Sequence, residues 1–311
     1  MPNEMRPEIL PASIMVMEVS PRDGLQNEKV LLPAEQKLEL VEYAKLSGSR
    51  RIEVTSFVHP ERVPQMADAE ALCEQLDLTD GVRYTGLVLN ERGYRRLRDT
   101  SLHEAGLVIP ATDTFGQRNQ GLRVADALAM AREVIADARR GAFPVQATIA
   151  VAFGCPFEGV VPQRTVLEIA EQLLEAGVVE IALADTIGVG VPVQVRAAFE
   201  GLAALSGEIP MRAHFHDTRN TAIGNAYAAI QAGVRILDAS IGGIGGCPFA
   251  PQASGNVATE DVVYMLDRSG IQCGLDLDRL LEASEWLQGA IAKPIASTLL
   301  RAGPWPSNEA G

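Results

Sequence analysis

The stretch IMVMEVSPRDG, residues 14–24, decides what kind of fold this chain can adopt. Residues 14–19 are a run of strand formers and read as a buried strand. The run ends at Ser20-Pro21-Arg22-Asp23, where Pro has no N–H to give to a ladder. An open doubly wound sheet would favour a phosphate-binding glycine turn at this first strand end. Here the turn instead sets a cation beside an anion, with Gln26, Asn27 and Glu28 close behind. A plain turn needs only the Pro, the Asp and the Gly. The surplus polar groups need another reason.

Moving outward, the same pattern recurs. Apolar runs at 51–55, 84–89, 104–109, 145–151, 179–184, 211–214 and 235–239 make eight strand candidates with the first. Segments with helical spacing lie between them. Val124, Leu128, Ala131, Ile135 and Ala138 follow steps of four and three. Residues 33–46 form another, with Pro33 at the first helical position and Gly48 just past the end. No Ser/Gly linker or shift in composition divides the chain. Eight alternating units in about 250 residues predict an α/β fold, a closed (β/α)8 TIM barrel. A single domain is expected over 1–311, with the barrel at about 14–285 and a C-terminal helical extension at about 286–311. Residues 1–11 and the stretch from 301 onward are expected to be irregular.

The composition narrows the function. A formal charge of −13 opposes nucleic-acid binding, which needs clustered Lys and Arg. It leaves room for an anionic small molecule, which responds to local charge. The four Cys, at 73, 155, 247 and 273, form no CxxC, which argues against a zinc knuckle or disulfide scaffold. The first residues are polar, and no apolar run reaches the roughly 20 residues of a membrane helix. A cytoplasmic protein without membrane partners is the expectation.

Barrels of this kind carry their reactive groups at strand C-termini and in the loops that follow. At those places stand Arg22 and Asp23, Glu53 and Ser56, Asn90, Thr112 and Asp113, Cys155, Asp185, His214 with His216, and the run 240–247. In His214-Phe215-His216 the two imidazoles sit two residues apart at a strand end, so both can approach one ion. With no Cys partner they fit a harder ion completed by oxygen ligands, Mg²⁺ or Mn²⁺, better than structural zinc. Asp217 either orients a ligand from behind or begins the next turn. Arg22-Asp23 is either a salt-bridged turn or a division of labour, Asp23 toward a cation and Arg22 toward a substrate oxygen. SIGGIGGCPFAPQASGN, 240–256, is either a flexible surface loop or a lid whose Cys247 moves a proton. Glu53 and Asp185 close apolar strands, as loop anchors or as active-site acids. Cys155 is expected to pack rather than react.

Together EVSPRDGLQNEK (18–29), IEVTSFVHPERVPQMAD (52–68), GCPFEG (154–159), ADTIGVG (184–190), HFHDT (214–218) and SIGGIGGCPFAPQASGNVATEDVVYML (240–266) resemble the 3-hydroxy-3-methylglutaryl-CoA lyase family. The resemblance runs in order from about residue 14 to 285. It implies a metal-dependent carbon–carbon lyase that cleaves 3-hydroxy-3-methylglutaryl-CoA to acetyl-CoA and acetoacetate, usually as a homodimer or higher homo-oligomer. It further implies metal ligation by Asp23, His214, His216 and Asn256, and catalysis by Arg22, Cys247, Asp185, Glu53 and His214. Arg22, Gln26, Ser56 and Arg219 are the expected substrate contacts. Three departures bear on the substrate. Arg219-Asn220 follows the HFHDT motif where the family has an aromatic or Gly, then Gly. Ala182 and Ala184 stand where it has Ser and Gly, and Ala292-Lys293-Pro294 replaces a more polar, basic segment. Another branched 3-hydroxyacyl-CoA or a free hydroxy acid is therefore the alternative substrate. A catalytically silent barrel that binds metal or ligand is the competing class.

Overall fold

The computed structural model describes residues 10–246 and 255–305. Eight parallel strands close into a barrel in sequence order: β1 Met15–Glu18, β2 Arg51–Ser56, β3 Arg83–Val88, β4 Glu104–Pro110, β5 Val145–Ala150, β6 Glu180–Asp185, β7 Met211–Phe215 and β8 Ile236–Ala239. β8 pairs back onto β1 through Met15–Ile236 to Glu18–Ala239, which leaves the sheet without a free edge. Every strand overlaps its sequence candidate, and no end differs by more than one residue. The helix Val124–Arg140 covers the predicted periodic segment. Pro33 is the exception: it lies extended (φ −67°, ψ 162°) just before the helix Ala34–Leu46, not inside its first turn.

Strand alternation sorts the side chains. Along β7, Ala213 and Phe215 join the apolar layer beneath the helices, and Arg212 and His214 face inward. The outer layer contains Leu97, Leu173, Phe199 and Leu202, all fully buried. Each such side chain contributes about 1.5–3 kcal/mol by leaving water. The lower half of the barrel interior is charged. Arg51 donates to Glu104 at 2.7 Å and to Glu180 at 2.5 Å, and Arg212 donates to the other oxygen of Glu180 at 2.6 Å. Buried ions are tolerated there because each finds a partner of opposite sign.

Glu18 is fully buried and accepts from Ser20 N at 2.9 Å, Ile241 N at 3.0 Å and Thr259 Oγ1 at 2.7 Å. It thus fastens the turn after β1 to the segments after β8. Beyond the barrel strands come the helices Thr259–Arg268, Leu277–Ala290 and Thr298–Ala302. The last extends into the stretch from 301 expected to be irregular, because the Ser297 hydroxyl accepts from Leu300 N at 3.1 Å and caps it.

Candidate active site

After β1 the carbonyl of Val19 accepts from both Arg22 N (3.2 Å) and Gly24 N (3.1 Å). The chain therefore makes one wide turn over Ser20–Gly24. A Cβ on Gly24 would stand 2.8 Å from Ile244 Cγ1 and from the Ser240 hydroxyl, so only glycine lets the loop after β8 rest there. Arg22 and Asp23 are joined, Nη1 to Oδ1, at 2.5 Å. Nε and Nη2 of Arg22 both reach Glu53 Oε2, also at 2.5 Å. The guanidinium is clamped between a carboxylate of the turn after β1 and one on β2.

The second half of the site comes from β7. His214 Nε2 lies 3.8 Å and His216 Nε2 3.6 Å from Asp23 Oδ2, with the two rings 5.2 Å apart. His214 Nδ1 stands 3.0 Å from Asp238 Oδ2, its register partner on β8. When the ring is neutral, that contact favours the proton on Nδ1, with the Nε2 lone pair toward Asp23. Asn256 arrives on a returning segment that bridges His216, with Val257 N donating to Phe215 O at 3.0 Å. Its Nδ2 donates to Asp23 Oδ2 at 2.7 Å. Asp23, His214, His216 and Asn256 are thus brought together as the sequence predicts.

The charges set the local proton affinities. Burial works to raise the Asp23 carboxyl, but Arg22 and the two imidazoles overcome it and hold it well below the usual carboxylate range. For Glu53 burial prevails over the pull of Arg22, and its pKa is raised. Burial works against a charged His214, yet the hydrogen bond to Asp238 and the nearby Asp23 raise its pKa.

The pocket at this mouth has an apolar wall of Leu87, Leu89, Val108, Phe115, Ala150 and Ala184. Gln26 lines it too, and its Oε1 accepts from the Ser56 hydroxyl at 3.1 Å, so Ser56 stands behind Gln26. Asp185 shares register with Phe215 and leaves its strand on the face opposite His214. Its two oxygens accept from Val189 N and Gly190 N, each at 2.9 Å, and anchor the loop after β6. Arg219 is exposed and donates to the carbonyls of Ile187 (3.0 Å) and Gly188 (2.8 Å) on that loop. Neither Asp185 nor Arg219 is among the groups lining the pocket. Asp217 accepts from Ala222 N at 2.9 Å and so begins the next helix. Cys155 is buried and accepts from the Thr112 hydroxyl at 3.1 Å. Cys247 lies outside the described residues; Gly246, immediately before it, lines the pocket.

Residues 13–287 match the family model described as HMGL-like. The chain belongs to the HMGL-like family. It is 38% identical to a hydroxymethylglutaryl-CoA lyase of Bacillus subtilis, over 94% of this chain and 97% of that one. It is 39% identical to an (R)-citramalyl-CoA lyase of Chloroflexus aurantiacus, over 94% and 95%. It superposes on an HMG-CoA lyase from Acinetobacter baumannii, solved with coenzyme A and 3-methylmalate, with a TM-score of 0.92 at 36% identity, covering 95% and 97% of the two chains. That family is one of carbon–carbon lyases.

The HMGL-like site is suited to a divalent cation by its charge as well as by its donors. Asp23, His214 and His216 each offer one ligand atom, and these lie within 4.8 Å of one another. Nδ1 of His216 is buried without a partner among the described residues. The connected network in the barrel holds five carboxylates (Asp23, Glu53, Glu104, Glu180, Asp238) against four guanidiniums: Arg22, Arg51, Arg212 and the exposed Arg83, 3.8 Å from Glu104. With both imidazoles neutral the network stays negative, and a cation would offset that charge. Sequence reading passed over Asp238, Arg212 and Thr148, which line the same pocket. Their signal was available: a charged or hydroxyl residue two positions from the next inward one in an otherwise apolar strand.

Proposed function

We propose that this protein cleaves the C2–C3 bond of a branched 3-hydroxyacyl-CoA that bears a second carboxylate, releasing acetyl-CoA and an oxo acid. The observation that carries the reading is Arg22 bonded at 2.5 Å to Asp23 beside the two His, at the mouth of an apolar-walled pocket. Mg²⁺ or Mn²⁺ held by Asp23, His214 and His216, with Asn256 beside them, would supply Lewis acidity to the substrate hydroxyl and a neighbouring oxygen.

The protein's own groups do the rest. Arg22 keeps a fixed positive charge where the thioester oxygen becomes an enolate, and Glu53 and Asp23 hold it there before substrate arrives. The hydroxyl proton leaves to an imidazole or a carboxylate at the barrel mouth, Asp185 with its burial-raised pKa among them. Leu87, Leu89 and Val108 exclude water from the side where the enolate forms. Gln26, backed by Ser56, is placed to touch the acyl group. Cys247 delivers a proton to the enolate carbon to complete acetyl-CoA; its neighbour Gly246 already borders the pocket.

The acyl group is 3-hydroxy-3-methylglutaryl or a close analogue such as citramalyl, the substrates for which two relatives of similar identity are named. These differ by one methylene between the carbinol carbon and the carboxylate, so wall shape alone separates them weakly. A panel of 3-hydroxyacyl-CoAs assayed with Mg²⁺ and Mn²⁺ for acetyl-CoA release tests the reading. Cleavage of citramalyl-CoA in preference to the glutaryl thioester reassigns the substrate and keeps the class. Folded, metal-loaded protein that cleaves none of them overturns the lyase assignment.

A further inference from the structure

Asp238 is held by one oxygen only. Its Oδ2 accepts from His214 Nδ1 at 3.0 Å and from Arg212 Nη1, while Oδ1 has no partner among the described residues. Arg212 is itself fixed from other directions. Nε donates to Glu180 Oε1 at 2.6 Å, and Nη2 donates to Gln146 Oε1 at 2.5 Å and Thr148 Oγ1 at 2.9 Å. Four strands therefore meet at one guanidinium, directly below the pocket it lines.

We propose that Arg212 is a positioning residue that holds Asp238, and through it His214, in the tautomer and ring orientation that presents Nε2 to a cation. A carboxylate with one idle oxygen turns freely about its last bond unless something fixes it. Glu180 alone cannot do so, because it touches Arg212 and Arg51 and not Asp238. The planar fork of Arg212 connects the barrel floor to the ligand side chain. A lysine keeps the charge but cannot satisfy Glu180, Gln146, Thr148 and Asp238 together. Groups that orient a metal-binding histidine typically change metal affinity ten- to a hundredfold when removed. The proposal rests on the cation site described under the proposed function.

The test is Mn²⁺ affinity, measured by calorimetry, together with ¹⁵N NMR of histidine-labelled protein, in the wild type, Arg212→Met and Arg212→Lys. The wild type is expected to show His214 with its proton on Nδ1. Arg212→Met is expected to show a mixture of tautomers and a loss of Mn²⁺ affinity of roughly tenfold or more. Arg212→Lys keeps a cation beside Glu180 and is included in case Arg212→Met fails to fold. It is expected to show the same mixture with an intermediate affinity. A folded variant with the wild-type tautomer and the wild-type affinity overturns the proposal. Neither readout involves a thioester, so a wild type that cleaves no substrate counts against the proposed function and leaves this result standing.

Discussion

Asn27 donates from Nδ2 to the carbonyl of Gly246 at 2.8 Å, joining positions 219 residues apart. Next to it Glu28 accepts from Lys293 Nζ at 2.7 Å. The segment leading to residues 247–254 therefore rests on the turn that carries Arg22 and Asp23.

Asn27→Ala removes that contact. The bond is solvent-exposed, so stability is expected to change by no more than about 1 kcal/mol. KM is expected to rise several-fold, and hydrogen exchange at residues 241–246 to quicken, because the approach to the pocket loses its support. Unchanged KM and exchange would show the latch to be idle.

Arg22→Gln separates an enzyme from a binding module. Turnover is expected to fall by about 10²–10³, the usual cost of losing a charge aimed at a developing oxyanion. Asp23 also loses its chief opposing charge, so its pKa rises and Mn²⁺ binding weakens first at low pH. Full turnover in the variant would remove Arg22 from the chemistry.

The surplus of carboxylates over guanidiniums in the barrel predicts that the cation stabilises the fold as well as serving the reaction. At a hundred times Kd the gain is about 2.7 kcal/mol. Differential scanning fluorimetry with saturating Mn²⁺ is expected to give a Tm several degrees above that in EDTA. Equal Tm values would contradict the charge argument.

Glu260 governs a pH dependence distinct from the reacting groups. It is fully buried between Gly242 N at 3.2 Å and the Ser284 hydroxyl at 2.8 Å, and burial raises its pKa from 4.5 to about 7. A raised carboxyl favours the folded state while protonated. That contribution is complete below 4.5 and is lost as pH rises through about 7. The loss is at most about 3 kcal/mol. Glu260→Gln imitates the protonated form, so its Tm is expected to fall less than that of the wild type between pH 5 and 8. Parallel profiles would rule out titration of Glu260 in that range.

What was legible in the sequence depended on local chemistry. The eight strands could be read because apolar runs and helical spacing are properties of neighbouring residues, and a closed barrel is the arrangement that leaves such strands no free edge. The Asp23–His214–His216 cluster could be read because the two His lie two apart and the family resemblance pointed to Asp23, with Asn256 beside them. Pro33 was misplaced by one residue because its fixed φ suits both the position before a helix and the first position inside it.

Residues 14–24 by themselves determined that a strand ends in a cation beside an anion. They did not determine whether those two charges simply neutralise each other. The tertiary structure supplied what chain proximity cannot: Glu53 from β2 takes the rest of the Arg22 fork, and two imidazoles from β7 face Asp23. It also showed that the side chains of Asp185 and Arg219 hold loop backbone. Partners such as Arg212 and Asp238 belong to different strands, and only barrel closure brings their side chains together in the interior. At that range, the low-dielectric interior makes each such pairing strong and each unpaired charge costly.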